Sequence, residues 1–245
     1  MSRNYEVLQR ASQQQESSET LVDATIFQAP PADLDPTALS RAELTKLVQR
    51  VFLLPDQAGR KVVSFAGIRN GTGCSSICAG AGEALAAQVD KPVCLVDANL
   101  RRPALHRYFQ VSNLKGLSDA VFSQDPIAHF LQKLRGGKVH LLSAGSMGSR
   151  LSSGFNAEQL RARLTELRDE FSYVLIDSPS VNSCAEALLL GKLADGIILV
   201  LESNSTRREA ARIAKEIFES AGVCLLGAVL NKRTFPIPRF LYERL

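Results

Sequence analysis

From Lys61 onward, apolar runs alternate with amphipathic stretches. Near-continuous Val/Ile/Leu segments at 61–67, 92–97, 138–142, 172–177, 195–201 and 224–230 read as strands covered on both faces. Helical patterns lie between them at about 75–89, 101–109, 117–122, 156–170, 183–193 and 205–221. The alternation predicts an α/β fold with a doubly wound, mainly parallel sheet. Ligands of such sheets bind at the carboxyl ends of the strands. Upstream, Leu44, Leu47, Val48 and Val51 form an apolar stripe. Ser40, with Glu43 three residues later, predicts the start of that helix through a capping box. Pro55 to Gly59 reads as a linker.

Residues 1–38 are rich in Gln, Ser, Glu and Pro and poor in large apolar side chains, which predicts a disordered N-terminal arm. The chain therefore divides into that arm, one domain at 39–235 and a tail at 236–245, with no internal repeat. Of the 245 residues, 45% are hydrophobic, enough for one sizeable core. The net charge of +4 comes without a dense basic stripe interleaved with aromatics, so no nucleic-acid partner is expected. No apolar span of about 20 residues is visible, and the reading is cytoplasmic. The five cysteines (Cys74, Cys78, Cys94, Cys184 and Cys224) lack metal-ligand spacing and read as small core residues of a reducing compartment.

Four features carry candidate chemistry. The first is the turn from Arg69 through Asn70, Gly71, Thr72, Gly73, Cys74 and Ser75 to Ser76, entered by a strand and left by a helix, the context of a phosphate-binding loop. Its glycines would let backbone N–H groups face phosphate oxygens, helped by the helix dipole. Ser75 holds the position that ligates Mg²⁺ in such loops, but Cys74 stands where they carry lysine. The second feature is a strand ending in Asp97, followed by Arg101 and Arg102. The carboxylate could accept a proton or hold a metal-bound water, and the guanidiniums could contact phosphate or an acidic partner. The third is a strand ending in Asp177, a Walker B pattern for organising Mg²⁺. The fourth is Asn231 at the last strand's end, with a donor and an acceptor able to pair with an adenine edge. Each has a plain structural alternative: a packing turn, an Asp capping the next helix, a strand-end Asp, and a turn-forming Asn.

At these residues the chain resembles the bacterial tyrosine kinases of capsule and exopolysaccharide synthesis (BY-kinases) over about residues 40–235. The family's Asp-Ala-Asp-Leu-Arg-Arg-Pro is similar to Asp97-Ala-Asn-Leu-Arg-Arg-Pro103, and its Asp-Ser/Thr-Pro-Pro to Asp177-Ser-Pro-Ser180. Its Leu-Pro-Ala-Gly, Ala-Asp-Gly and Gly-Val-Val-Leu-Asn segments resemble Leu142–Gly145, Ala194–Gly196 and Gly227–Asn231. The resemblance implies a MinD/ParA-like P-loop fold, ATP or ADP with Mg²⁺ at Ser75, Asp97 and Asp177, and Asp97 as catalytic base. It also implies transfer to tyrosines of a C-terminal cluster. As partner it implies a membrane chain-length regulator (polysaccharide co-polymerase) on a separate chain, which would recruit the protein to the inner membrane face. The family's oligomerisation pattern, Glu-x-x-Arg-x-x-Arg, is degraded to Glu43, Lys46 and Gln49, and a homo-oligomer remains an expectation.

Three departures stand out: Cys74 for the loop lysine, Asn99 for the second aspartate, and Tyr242 as the sole tyrosine of the tail. Losing one placed phosphate contact costs about 2–4 kcal/mol of transition-state stabilisation. The expectation is a pseudokinase-like regulator with weakened or lost nucleotide binding. An active divergent kinase, with Tyr242 as phosphoacceptor, is the rival, as are a ParA/MinD-type positioning ATPase and a purely structural interaction module. Arg69 lies where ParA/MinD-type proteins carry a signature lysine, and its guanidinium could supply part of the missing charge.

Overall fold

A computed structural model describes residues 26–28, 36–54, 59–134, 136–146, 157–181 and 185–232. Tyr242, the tail and Cys184 lie outside the described residues, as do 1–25 and 29–35. One element falls within the span assigned to the arm and a second begins there. Strand β1 (Ile26–Gln28) pairs in parallel with the last strand, and helix α1 (Pro36–Val48) begins four residues before Ser40. Proline suits a first helical position because its missing N–H has no partner to lose there. The capping box at Ser40 and Glu43 is therefore a correction: both lie inside the helix, and Glu43 instead accepts from Lys46 at 2.8 Å. A π-turn, Gln49–Leu53, carries Val51 and Phe52 into the core.

The remaining strands are β2 (Val62–Gly67), β3 (Val93–Asp97), β4 (Gln132–Lys133), β5 (Val139–Leu142), β6 (Tyr173–Asp177), β7 (Gly196–Glu202) and β8 (Leu225–Asn231). The helices are α2 (Cys74–Ala86), α3 (Leu105–Tyr108), α4 (Leu117–Ala120), α5 (Ala157–Glu170), α6 (Ala185–Leu193) and α7 (Arg208–Ser220). Among the described residues the eight strands form one sheet in the order β1-β8-β7-β2-β6-β3-β5-β4. All neighbours are parallel except the edge pair β4–β5. This is the doubly wound, mainly parallel architecture that the apolar runs predict.

The sheet buries both faces, which explains why its strands are continuously apolar. Val63 and Phe65 of β2 join a core with Leu95, Leu141 and Leu175 under α1 and α2. Alternate residues Val62 and Ala66 face the opposite cores, built with Leu160 and Leu167 of α5, Leu190 of α6 and Phe218 of α7. Close seating of α2 on the sheet depends on Gly82, where a Cβ would lie 2.7 Å from Leu95 Cδ2. The packing delivers the carboxyl ends of β2, β3, β6, β7 and β8 to one rim, where Gly67, Asp97, Asp177, Glu202 and Asn231 end their strands.

Candidate functional site: a phosphate-type loop over two buried carboxylates

The loop between β2 and α2 is shaped by Gly71 and Gly73, with φ of 87° and 83°. These left-handed values favour glycine. At Gly73, the residue before α2, a Cβ would also collide with the Asn231 amide. Asn231 Nδ2 donates to the Thr72 carbonyl at 2.8 Å, so here the side chain braces the loop. Among the described residues, the N–H groups of Cys74, Ser75 and Ser76 are the unpaired first-turn donors of α2. They border a cavity of about 340 Å³ lined by the whole loop from Arg69 to Ser76 and, opposite it, by Asn99, Arg102, Arg107, Asp177, Ser178 and Ser180. Ser75 and Asp177 both line this cavity, whereas Asp97 does not and reaches the site only as the register partner of Asp177.

The two aspartates are neighbours because β3 and β6 pair in register, with Asp97 opposite Asp177. Both are fully buried, but their surroundings differ. Asp97 Oδ1 accepts from the Asn99 N–H at 3.2 Å, and Oδ2 from the Ala104 and Leu105 N–H groups at 2.9 and 3.0 Å. It thus fixes the start of α3, which is the helix-capping alternative foreseen for it. Asp177 has no well-formed hydrogen bond on either oxygen. The Ser75 hydroxyl and Cys74 thiol lie close enough to draw its proton affinity down somewhat without closing bonds of good geometry. Burial, then repulsion from Asp97, pushes the Asp177 carboxyl well above the usual range. Burial also raises Asp97, opposed by its three backbone amides and by Arg107. The Cys74 thiol, raised by burial and by Asp177, stays protonated and offers no charge.

Replacing Asp97 with alanine should therefore destabilise the fold by about 1–3 kcal/mol, because it strands backbone donors at the start of α3. Asp97→Asn, which keeps an acceptor oxygen, should cost less. Urea denaturation of the two variants checks the order.

Positive charge approaches the cavity from the segment after β3, with Arg102 ahead of α3 and Arg107 within it. Arg102 and Arg107 both line it, whereas Arg101 turns away to Glu186 at 3.7 Å. Sequence reasoning missed Arg107; the available signal was a basic residue on the helix that follows an acidic strand tip. Arg69 also reaches the cavity wall, but its guanidinium is engaged by Glu202 Oε2 at 2.7 Å and by the Ser205 hydroxyl. Among the described residues no group of three or more His, Cys, Asp or Glu side chains is placed to hold a metal ion. None of the described helices is long and apolar enough to cross a membrane.

Comparison with known proteins places the chain in a family and a fold. A family model described as "Cellulose biosynthesis protein BcsQ" matches residues 60–216. The tyrosine-protein kinase YwqD of Bacillus subtilis (strain 168) is 30% identical over 145 residues, covering 59% of this chain and 61% of YwqD. The chain thus spans less than two thirds of that relative's length. In solved structures, the chimerical protein CapA2B2 superposes with a TM-score of 0.78 at 22% identity, covering 90% of this chain and 99% of that one. The septum site-determining protein MinD from Pyrococcus horikoshii OT3, complexed with Mg-ADP, gives 0.61 at 19% identity, covering 75% and 76% of the two chains. The likeness to these two structures shows the shared fold.

Proposed function

The chain belongs to the family of the cellulose biosynthesis protein BcsQ and is related to the bacterial tyrosine kinases, and from that premise we propose that it is a regulatory component of exopolysaccharide or capsule assembly with weakened or lost kinase activity. One observation carries the reading: the glycine-rich loop and Asp177 line one cavity, and Cys74 of that loop, near Asp177, is a neutral thiol rather than an ammonium. The unpaired first-turn N–H groups of α2 fit a phosphate, and the unpartnered carboxylate of Asp177 fits a hydrated cation. ATP or ADP with Mg²⁺ would therefore be held by Gly71 to Ser76, with Ser75 and Asp177 beside the cation. When bound, the nucleotide supplies a transferable phosphoryl group.

The chain's own residues orient that group weakly. Cys74 contributes no charge, and Asp97, whose oxygens are engaged by backbone N–H groups, is less available as a base than its position suggests. A separate membrane chain-length regulator remains the proposed partner, with recruitment to the inner membrane face through it. In the pattern proposed for oligomerisation, Glu43 and Lys46 pair with each other and Gln49 donates to Gln88 at 2.8 Å.

Incubation of the purified chain with labelled ATP tests the reading. Little or no tyrosine phosphate is expected, at Tyr242 or elsewhere. Robust labelling lost in Asp97→Ala would establish the divergent-kinase reading instead. ATP hydrolysis on dimerisation without tyrosine phosphate would favour a ParA/MinD-type positioning ATPase, a reading supported by the MinD-like fold.

A further inference from the structure

Glu202 ends β7 and lies opposite Asn231 of β8, at the flank of the loop. Its two carboxylate oxygens hold different cations. Oε2 takes Arg69 at 2.7 Å, and Oε1 takes Lys232 at 3.1 Å. Lys232 Nζ also donates to the Gly71 carbonyl at 2.5 Å, tying the cluster to the tip of the loop. The backbone N–H of Glu202 donates to Thr206 Oγ1 at 2.9 Å, which fixes the end of the strand. Both cations are about half exposed, with side-chain exposures of 51% and 49%, while Glu202 beneath them is 19% exposed. Arg69 alone of the three lines the cavity.

Resting on the nucleotide reading above, we propose that Glu202 is a gate that holds Arg69 off the phosphate loop, and that an incoming phosphate group displaces Glu202 from Arg69 while Lys232 remains as the partner of Glu202. The geometry supports the exchange at each point. Arg69 already stands at the cavity wall, so it needs a side-chain rotation rather than a backbone movement. Exposed ion pairs are weak, whereas a guanidinium matches two phosphate oxygens at once. Lys232 keeps Glu202 neutralised after Arg69 leaves, so the exchange strands no charge. Lys232 is also pinned to Gly71, which preserves the loop as the gate opens. The missing loop lysine is thereby replaced by a cation that becomes available only on exchange, and Glu202 and Lys232 act as positioning residues.

Calorimetric titration of pyrophosphate and, in parallel, Mg-ADP into wild type, Glu202→Gln, Arg69→Gln and the double variant tests this, with thermal melts confirming that each is folded. Glu202→Gln should tighten pyrophosphate binding about two- to fivefold, the range of an exposed ion pair, most clearly at low salt. That gain should vanish in the Arg69→Gln background. Lys232→Gln, which leaves Arg69 as the one cation paired with Glu202 among the described residues, should weaken binding by a similar factor. The gate is overturned if Glu202→Gln brings no gain, if its gain survives without Arg69, or if pyrophosphate binds none of the variants. If the pyrophosphate pattern holds while Mg-ADP gives no heat, the gate stands and the nucleotide reading falls.

Discussion

Cys74→Lys should tighten Mg-ADP binding by about 10- to 150-fold, the equivalent of one charged hydrogen bond of about 1.5–3 kcal/mol. The substitution restores an ammonium at the first residue of α2, between the loop and Asp177. It should also lower the proton affinity of the Asp177 carboxyl, which now sits beside a neutral thiol and a second buried acid. Calorimetry at neutral pH reads the first effect. An unchanged affinity would mean that another departure, Asn99 foremost, limits the site.

The second large effect is on stability and has the opposite sign to that of Asp97. Asp177→Asn should stabilise the fold at pH 8 by on the order of 1–3 kcal/mol, because it removes a buried carboxylate that has no cationic partner and no well-formed hydrogen bond among the described residues. In the folded chain this carboxyl titrates above its unfolded value of about 3.9. As pH rises from about 4 toward neutrality, the folded state therefore keeps a proton that the unfolded state releases, and wild-type stability falls. The asparagine variant lacks that decline, so its advantage should shrink toward zero as pH drops to about 4. Urea denaturation across the range checks the slope. A variant less stable than wild type at pH 8 would show that the carboxylate has a favourable partner.

These opposite expectations for two adjacent aspartates mark where sequence reading ended. Both were legible as strand tips because Val93–Val96 and Tyr173–Ile176 are unbroken apolar runs ending in an acid. That they stand opposite each other depends on the β3–β6 register, which no local pattern encodes. The six long strands were legible to within about one residue for the same reason: burial on both faces leaves only isolated polar residues, Ser64 in β2 and His140 in β5, inside the apolar runs. β1 escaped because Ile26-Phe27-Gln28 is too short to stand out, and β4 because Gln132–Lys133 is polar and pairs only at the edge. At α1 a genuine capping signature at Ser40 competed with the proline start at Pro36, and the proline start prevailed.

In the site, the glycine turn announced itself, because positive φ at Gly71 and Gly73 leaves a compositional trace. The ion pairs of Arg69 and Lys232 did not. Arg69 meets Glu202 across 133 positions, and Lys232 meets Gly71 across 161. Such pairings arise from strand order, and single-sequence spacing carries no record of them. Asn231 was recognised as a rim residue, while its contact with the Thr72 carbonyl emerged only when β8 was placed beside the loop's end.

In the proposed reading the loop retains its shape while its phosphate charge has been withdrawn. The most direct test is a titration of Mg-ADP into the unmodified chain at neutral pH. A site of ordinary micromolar affinity that has lost about 1.5–3 kcal/mol should bind with a dissociation constant of about 10–150 µM, or more weakly. A dissociation constant well below 1 µM would contradict the account, because it would require a cation at the phosphates as effective as the lysine that Cys74 replaces.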